Sequence, residues 1–151
     1  MVGLEIGSRL RAETALRASE ERQTFLLKLS DVLRPLDQSE EITGTATRLL
    51  GEWIGASRAY YAEWPLNADC GEVARDYAAS GLPSITGRYP ISVFGSAYER
   101  LSKGRTWIVK DAAADTEMET AERQYYLSVG VTAWVDVPLV KRGQLQAALC
   151  L

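Results

Sequence analysis

The 151-residue chain contains no histidine and only two cysteines. The lack of histidine excludes a Ser-His-Asp triad, a histidine-ligated metal or haem, and a phospho-accepting histidine within this sequence. Cys70 and Cys150 are far apart and form no CxxC pair, so they match no zinc-binding pattern. We therefore predict two buried, reduced thiols and no metal site.

The sequence also lacks an excess of charge of one sign. It contains 17 Lys and Arg residues and 20 Asp and Glu residues, which gives a net charge of −3. This balance gives no basic stripe for nucleic acid or an anionic membrane. Charged residues from Glu5 to Glu13 interrupt any secretory segment, and the longest apolar runs are too short to cross a bilayer. With 46% hydrophobic residues, we expect one compact cytoplasmic domain with no nucleic-acid partner and no membrane contact by this segment.

Two long helices are predicted at the start of the chain. Residues 8–33 contain neither Pro nor Gly and precede Pro35, which predicts one helix whose second half packs and whose first half protrudes. A second helix is predicted to run to about Ile54 and to end at Gly55. We expect Asp37 or Ser39 to cap it. Its apolar spacing predicts Trp53 as a core residue rather than a cofactor platform.

Beyond Gly55 the hydrophobic period changes from that of helices towards that of strands. Short helices are predicted at 94–101 and 121–129, and the Gly- and Pro-rich stretch 80–90 is predicted as a loop. Strands are predicted at 59–64, 72–77, 107–109, 131–139 and 145–151. The order predicts an α+β fold with a central antiparallel sheet, long helices on one face, and short helices and loops on the other.

Alternation along the predicted strand 131–139 suggests a ligand cavity. It places Thr132, Trp134 and Asp136 on one face and an aliphatic set on the other. If the aliphatic face packs on the long helices, the polar set faces a cavity enclosed by loop 80–90 and the short helices. The same reasoning adds residues from the other strands. The candidate ligand-binding residues are Tyr60, Arg75, Tyr77, Trp107, Asp111, Thr132, Trp134 and Asp136.

Two interpretations of these residues remain open from the sequence. In the first, Arg75 pairs with an anionic group of a small ligand while the aromatic rings stack on its planar part. In the second, Arg75 forms an internal salt bridge with Asp136 or Asp111 inside a closed aromatic core. No catalytic residue is predicted, and the acidic residues between Asp111 and Glu117 fit a solvated loop better than a metal site.

The apolar strand at the end of the sequence, residues 147–151, stops on Leu151 without a turn or charge. A buried leucine contributes about 1.5–3 kcal/mol, so this strand needs a covering element. We expect the chain to be a fragment of a longer polypeptide. The uncovered face would be filled by the first helix or by a second copy of the protein.

Several segments in this order resemble a bacterial GAF domain over residues 26–151. They are Ser57–Trp64, Gly104–Asp111, Gly130–Leu139 and Gln144–Leu151, of which the segment closing on Val137-Pro138-Leu139 is the most specific. The helix around Ala12–Arg22 is similar to linkers that join sensor modules to kinase cores. The resemblance implies that the predicted α+β fold has a GAF/PAS-like central antiparallel sheet. It also implies a linker or signalling helix at 1–25, a further C-terminal helix after the last strand, and a parent sensor histidine kinase.

Departures from better-defined GAF subfamilies limit the choice of ligand. Asn67 is not followed by Lys, so the cyclic-nucleotide motif of phosphodiesterases is missing, and the lack of histidine argues against a covalent bilin or haem. The resemblance implies a regulatory, non-catalytic module that binds an unidentified small molecule, forms a homodimer through its N-terminal helices, and controls an output domain. The alternatives are a structural dimerisation spacer without ligand and, more remotely, a redox enzyme of the methionine-sulfoxide-reductase GAF type.

Overall fold

The computed structural model describes residues 2–65 and 69–151. It contains two compact units, Met1–Asp37 and Gln38–Leu151. The first unit consists mainly of helix α1 (Val2–Leu33), so the predicted long helix is confirmed but begins earlier than residue 8. Glycine costs only about 1 kcal/mol in a helix, which explains why Gly3 and Gly7 do not stop α1. The predicted domain boundary at residue 25 falls inside this helix.

The second unit confirms the predicted α+β fold, with six antiparallel strands in the order β3-β2-β1-β6-β5-β4. Its helices are α2 (Ser39–Ile54), α3 (Gly95–Ser102) and α4 (Thr120–Ser128), and a 3-10 turn spans Ile91–Val93. The strands are β1 (Arg58–Glu63), β2 (Cys70–Ala78), β3 (Gly87–Pro90), β4 (Trp107–Val109), β5 (Trp134–Lys141) and β6 (Gln144–Cys150).

Strand β3 lies inside the stretch 80–90 that the sequence predicts as a loop. It pairs with the first residues of β2, from Cys70↔Pro90 to Val73↔Gly87, and forms one edge of the sheet. Proline is tolerated at such an edge because its missing N–H is not needed for pairing there. The turn predicted at Asn67 lies outside the described residues.

Helix α2 ends as predicted, at Gly55 with a left-handed φ of 70°. Its predicted start is wrong in one detail, because the N-cap residue is Gln38 and makes no side-chain capping hydrogen bond. No bond of this kind from Asp37 or Ser39 occurs in the described residues.

Helix α2 packs on β1 and β2 through its small residues. Thr47 and Gly51 are buried, Gly44 lies against Arg75, and Gly51 lies against Tyr77. The prediction that Trp53 is a core residue is wrong, since it is 47% exposed. Because α2 approaches the sheet through glycine, a large side chain such as Trp53 lies on another face of the helix.

The main core lies on the opposite face of the sheet, where α3 contacts β4, β5 and β6. Leu101, Trp107, Val109, Ala112 and Met118 are all at least 95% buried there. Since Ala59 of β1 lies under α2 and Ala62 joins this core, the alternation of β1 separates the two layers. Within the described residues, no helix has an apolar stretch long enough to span a bilayer.

Strand β5 differs from the predicted 131–139 strand at its beginning. It starts at Trp134, and Val131 and Ala133 precede it and line the same cavity as the polar residues. Alternation therefore applies only from Trp134 onward. On the other face of β5, Val137 remains 42% exposed, since α2 packs on β1 and β2 instead. The expected packing of this whole aliphatic set against the long helices is therefore wrong.

Candidate functional site

A cavity of about 190 Å³ lies between the sheet and the layer formed by α3, α4 and the loop before β3. Residues from four strands form its floor, and aromatic side chains supply much of the rest. The floor includes Tyr60, Ala62, Val73, Trp134, Asp136 and Cys150, and the aromatic walls include Trp64, Tyr89, Phe94, Tyr125 and Tyr126.

Asp136 of β5 is the buried carboxyl group of this cavity, with 5% exposure. Burial raises its pKa from 3.8 to about 7, because removal from water penalises the charged form. The Cys150 thiol hydrogen-bonds to it and lowers the pKa, whereas the negative charge of Glu122 raises it. This carboxyl group therefore changes its charge near neutral pH.

Cys150 lies on β6 directly opposite Asp136 and on its other side opposite Tyr60 of β1. Burial raises the pKa of the Cys150 thiol well above its usual value, with a further increase from the charge of Asp136. Burial likewise raises the pKa of Tyr60. Both groups therefore stay protonated at neutral pH and act as donors, and the thiol is a poor nucleophile.

Trp134 is held on both sides by aromatic rings. Its indole stacks on Tyr126 with centroids 4.4 Å apart and meets Trp107 edge to face at 5.2 Å. Its Nε1 is buried without a hydrogen-bond partner in the described part of the chain. An unsatisfied buried donor costs about 1–3 kcal/mol, so a hydrogen-bond acceptor placed at Trp134 Nε1 would stabilise the site.

Glu122 of α4 connects the two short helices above the cavity. Its carboxylate accepts the backbone N–H groups of Ser96 at 3.1 Å and Ala97 at 3.3 Å, at the first turn of α3. A carboxylate at a helix N-terminus satisfies free donors and complements the helix dipole. Burial raises the pKa of Glu122, although these hydrogen bonds lower it in part.

A buried ion pair supports the loop wall of the cavity. Arg58 Nη1 donates to Asp76 Oδ2 at 2.9 Å, and the two side chains are 10% and 4% exposed. The Asp76 carboxylate also accepts from Ser84 Oγ at 2.6 Å and from the Ile85 backbone N–H at 3.0 Å. The pair therefore joins β1 and β2 to the loop before β3 and neutralises the charge of Arg58.

Four of the eight predicted site residues line the cavity: Tyr60, Thr132, Trp134 and Asp136. Thr132 is exposed, and its carbonyl accepts the Ala112 N–H at 2.7 Å. The alternation argument thus predicts the cavity side of β5 correctly from Trp134 onward. Whether these residues bind a ligand stays a prediction.

Arg75 and Tyr77 share a face as predicted, but it is the wrong face for the cavity. They lie against Gly44 and Gly51 of α2, on the opposite side of the sheet from Asp136. The pairing Tyr60↔Asp76 places Asp76 beside Tyr60 instead. The suggested Arg75–Asp136 salt bridge is therefore excluded, and no ion pair between Arg75 and Asp111 occurs in the described residues.

Trp107 and Asp111 do not close the rim of the cavity. Trp107 is 4% exposed in the core, where it packs on Trp134, and the guanidinium of Arg100 lies 5.6 Å from its ring centroid. Asp111 is exposed and accepts the Ala113 N–H at 2.9 Å. Its role is that of a local turn residue.

Sequence reasoning missed Arg58 and the aromatic walls. Alternation from Tyr60 back to Arg58 could have indicated Arg58, since both occupy one face of β1. Phe94, Tyr125 and Tyr126 carry no comparable signal, because nothing local shows that α3 and α4 meet. In the structure Phe94 meets Tyr125 edge-on, with ring centroids 5.3 Å apart, and Tyr126 in a tilted arrangement at 5.7 Å.

The family model for the GAF domain matches residues 38–151, which coincide with the second compact unit. The chain belongs to the GAF domain family. The structure of its second unit agrees with this assignment, since GAF domains of known structure have the same fold. No curated protein sequence matches the chain.

Solved GAF structures are similar in fold at low sequence identity. A phycocyanobilin-bound GAF domain from a cyanobacterial phytochrome is 19% identical with a TM-score of 0.72, covering 85% of this chain and 77% of that one. The chromophore-binding domain of a bacteriophytochrome from R. palustris is 13% identical with a TM-score of 0.72, covering 87% and 52%. The free methionine-R-sulfoxide reductase from Neisseria meningitidis, solved with its substrate, is 18% identical with a TM-score of 0.64, covering 89% and 73%.

Proposed function

We propose that this GAF domain is a regulatory sensory module of a bacterial signal-transduction protein, a sensor histidine kinase, and that a small molecule occupies its cavity. The observation that carries the proposal is the presence of two buried polar groups among the cavity residues, an indole N–H and a carboxyl group. Trp134 Nε1 has no partner in the described residues, and Asp136 is buried with a raised pKa. A cavity with apolar walls and a few buried polar groups is typical of a ligand site.

A bilin of the kind bound by the phytochrome relatives does not fit these residues. A cavity of about 150 Å³ holds one benzene ring, so about 190 Å³ encloses about one ring, and the rest of a linear tetrapyrrole would lie outside it. The sequence has no histidine, and Cys70 and Cys150 are both buried. The ligand in this proposal is accordingly a molecule of about one ring, bound without a covalent link.

The methionine-sulfoxide-reductase alternative receives less support. Thiol relay requires two sulfur atoms within bonding reach. Among the described cavity residues Cys150 is the sulfur-bearing side chain, and Cys70 instead accepts a hydrogen bond from Arg88 Nη2 at 3.0 Å. The proposal therefore assigns this chain a binding role and no catalytic role.

Native mass spectrometry of the purified protein tests whether a small molecule is bound. We expect additional mass on the wild-type protein and its loss in Ala62→Leu, which adds volume on the cavity floor. Ala74→Leu is the matched control, because Ala74 is exposed on the neighbouring strand. Equal ligand retention in both variants would refute occupancy of this cavity, and a ligand-free wild type would favour the dimerisation spacer.

Signal transfer in this proposal requires a homodimer formed through the N-terminal helices, so that ligand binding favours one of two helix arrangements. Large apolar residues of α1 support it: Ile6, Leu10, Leu16, Leu26 and Leu27 are 53–68% exposed. Light scattering during size exclusion tests this step. We expect a dimer at micromolar concentration that Leu16→Glu with Leu27→Glu converts to a monomer, and a monomeric wild type would contradict it. The output kinase domain and cytoplasmic location are parts of the same proposal.

A further inference from the structure

Three of the described residues that line the cavity are charged: Arg58, Glu72 and Asp136. Arg58 is neutralised by its buried ion pair with Asp76. Glu72 lies opposite the cation Arg88 on β3, whose pKa its charge raises. Glu122, 97% buried on α4, adds a carboxyl group close enough to raise the pKa of Asp136. Among the described residues, Asp136 and Glu122 are therefore the buried acidic groups at the cavity without an ion-pair partner.

A buried carboxylate normally needs a cation, and no residue in the described part of the chain forms an ion pair with Asp136. The groups that face it from the neighbouring elements are the thiol of Cys150, the phenols of Tyr60 and Tyr126, and the carboxyl group of Glu122. Among them there are hydrogen-bond donors but no positive charge. The carboxylate at this position is accordingly poised to accept a charged donor from a ligand.

The aromatic walls favour the same kind of ligand. The π faces of Tyr and Trp side chains attract cations, and the attraction strengthens when water is excluded. The rings available to a ligand are those of Tyr60 and Trp64, which line the cavity. Tyr126 and Trp134 also line it, but they stack on each other, and Trp107 meets Trp134 edge to face. Aromatic walls around one buried carboxylate suit an organic ammonium ion better than an anion or a neutral polar molecule.

We propose that the ligand of this GAF domain is an organic cation of about one-ring size, whose protonated amine pairs with the Asp136 carboxylate while its apolar body contacts the aromatic walls. This inference rests on the proposed sensory function and specifies the chemistry of its ligand. It replaces the sequence-based idea of an anionic ligand held by Arg75, because Arg75 lies on the other face of the sheet.

Isothermal titration calorimetry with three probes of equal size tests the charge requirement: benzylamine, benzyl alcohol and benzoate. We expect benzylamine to bind the wild-type protein about ten- to a hundredfold more tightly than benzyl alcohol, the usual difference for a charged hydrogen bond, and benzoate not to bind. In Asp136→Asn, which keeps the shape of the side chain, benzylamine and benzyl alcohol should bind with similar affinity.

A pH series on the wild-type protein provides a test that needs no variant. An alkylammonium titrates near pH 10, so benzylamine stays charged from pH 6 to 8. Asp136 loses its proton in this range, since its pKa is about 7. Benzylamine affinity should therefore rise about tenfold from pH 6 to 8, whereas benzyl alcohol affinity should stay constant.

The outcomes separate this inference from the proposed function. If benzyl alcohol or benzoate binds the wild type as well as benzylamine does, the cation requirement is refuted while a ligand-binding cavity is retained. A benzylamine preference that persists in Asp136→Asn would refute the role of Asp136. If none of the probes binds, the cation inference fails, and the mass-spectrometric comparison of Ala62→Leu with Ala74→Leu decides the sensory proposal independently.

Discussion

The ring of Tyr77 on β2 lies so close to Gly51 of α2 that a Cβ at this glycine would sit 2.4 Å from Tyr77 Cδ1. It would also lie 3.2 Å from the Cβ of Ala59 on β1. No side chain other than hydrogen fits without movement of the helix or the ring. This contact fixes how closely α2 approaches the sheet, on the face opposite the cavity.

Gly51→Ala should therefore destabilise the domain although alanine favours helix. Overpacking of a buried contact costs about 1–3 kcal/mol, which should exceed the gain of about 1 kcal/mol in helix propensity. Gly44→Ala is the matched control in the same helix, since its new Cβ would meet the flexible stem of Arg75 at 2.9 Å. Urea unfolding of both variants measures the difference, and equal stabilities would contradict the proposed tight contact.

Asp76→Asn should destabilise the domain through its buried pair with Arg58. Leaving one buried charge without its partner costs about 3–5 kcal/mol, and Ser84 and Ile85 lose a charged acceptor at the same time. We expect lower stability in urea and faster amide exchange at Ile85. Glu52→Gln is the control, because the Arg48–Glu52 pair is about half exposed and such pairs contribute about 0–1 kcal/mol. A similar loss in both variants would argue against a structural role of the buried pair.

The parts of the fold that could be predicted from sequence are those with local signals. Helical spacing and the left-handed glycine at Gly55 define α2, and the extended apolar runs define β1, β2 and β6. Strand β3 could not be recognised in this way, because Gly87-Arg-Tyr-Pro90 has the composition of a loop and becomes a strand only by pairing with β2. Edge pairing is a tertiary effect that local propensity does not encode.

The same limit explains why only four of the eight predicted site residues line the cavity. Alternation shows that Arg75 and Tyr77 share a face and that Trp134 and Asp136 share a face, but not which of these faces meets the cavity. That choice depends on register, and β1 and β2 contain an irregularity between Tyr60 and Ala62. A shift of one residue moves every side chain of a strand to the other face. Residues in one strand could thus be grouped from sequence, whereas groups from two strands could not be combined.

Both thiols should be unreactive in the folded protein. Cys70 is 9% and Cys150 4% exposed, and burial raises the pKa of Cys150 so that little thiolate forms. We expect an aromatic disulfide reagent at pH 8 to titrate almost no thiol in the native protein and two per chain in denaturant. The variants Cys70→Ala and Cys150→Ala identify which thiol reacts in any native fraction. Rapid native modification of Cys150 would contradict its protonated, enclosed state.

The stability of the domain should fall as the pH rises from 4 to 8. Burial raises the folded-state pKa of Asp136 to about 7 from 3.8, so between these values the folded protein binds a proton that the unfolded chain has released. The contribution is complete below the lower pKa and is lost as the pH rises through the higher one. At 1.36 kcal/mol per pKa unit, the loss amounts to about 4 kcal/mol at most.

Asp136→Asn isolates this effect, because asparagine keeps the size of the side chain and does not titrate. Glu122 also has a raised pKa and contributes a slope of the same sign, so the difference between wild type and variant is the quantity to measure. We expect the free energy of unfolding in urea to decline more steeply with pH for the wild type, with the curves becoming parallel above pH 8. Parallel curves from pH 4 to 7 would show that Asp136 ionises normally in the folded state. In that case the carboxylate would already be stabilised without a ligand.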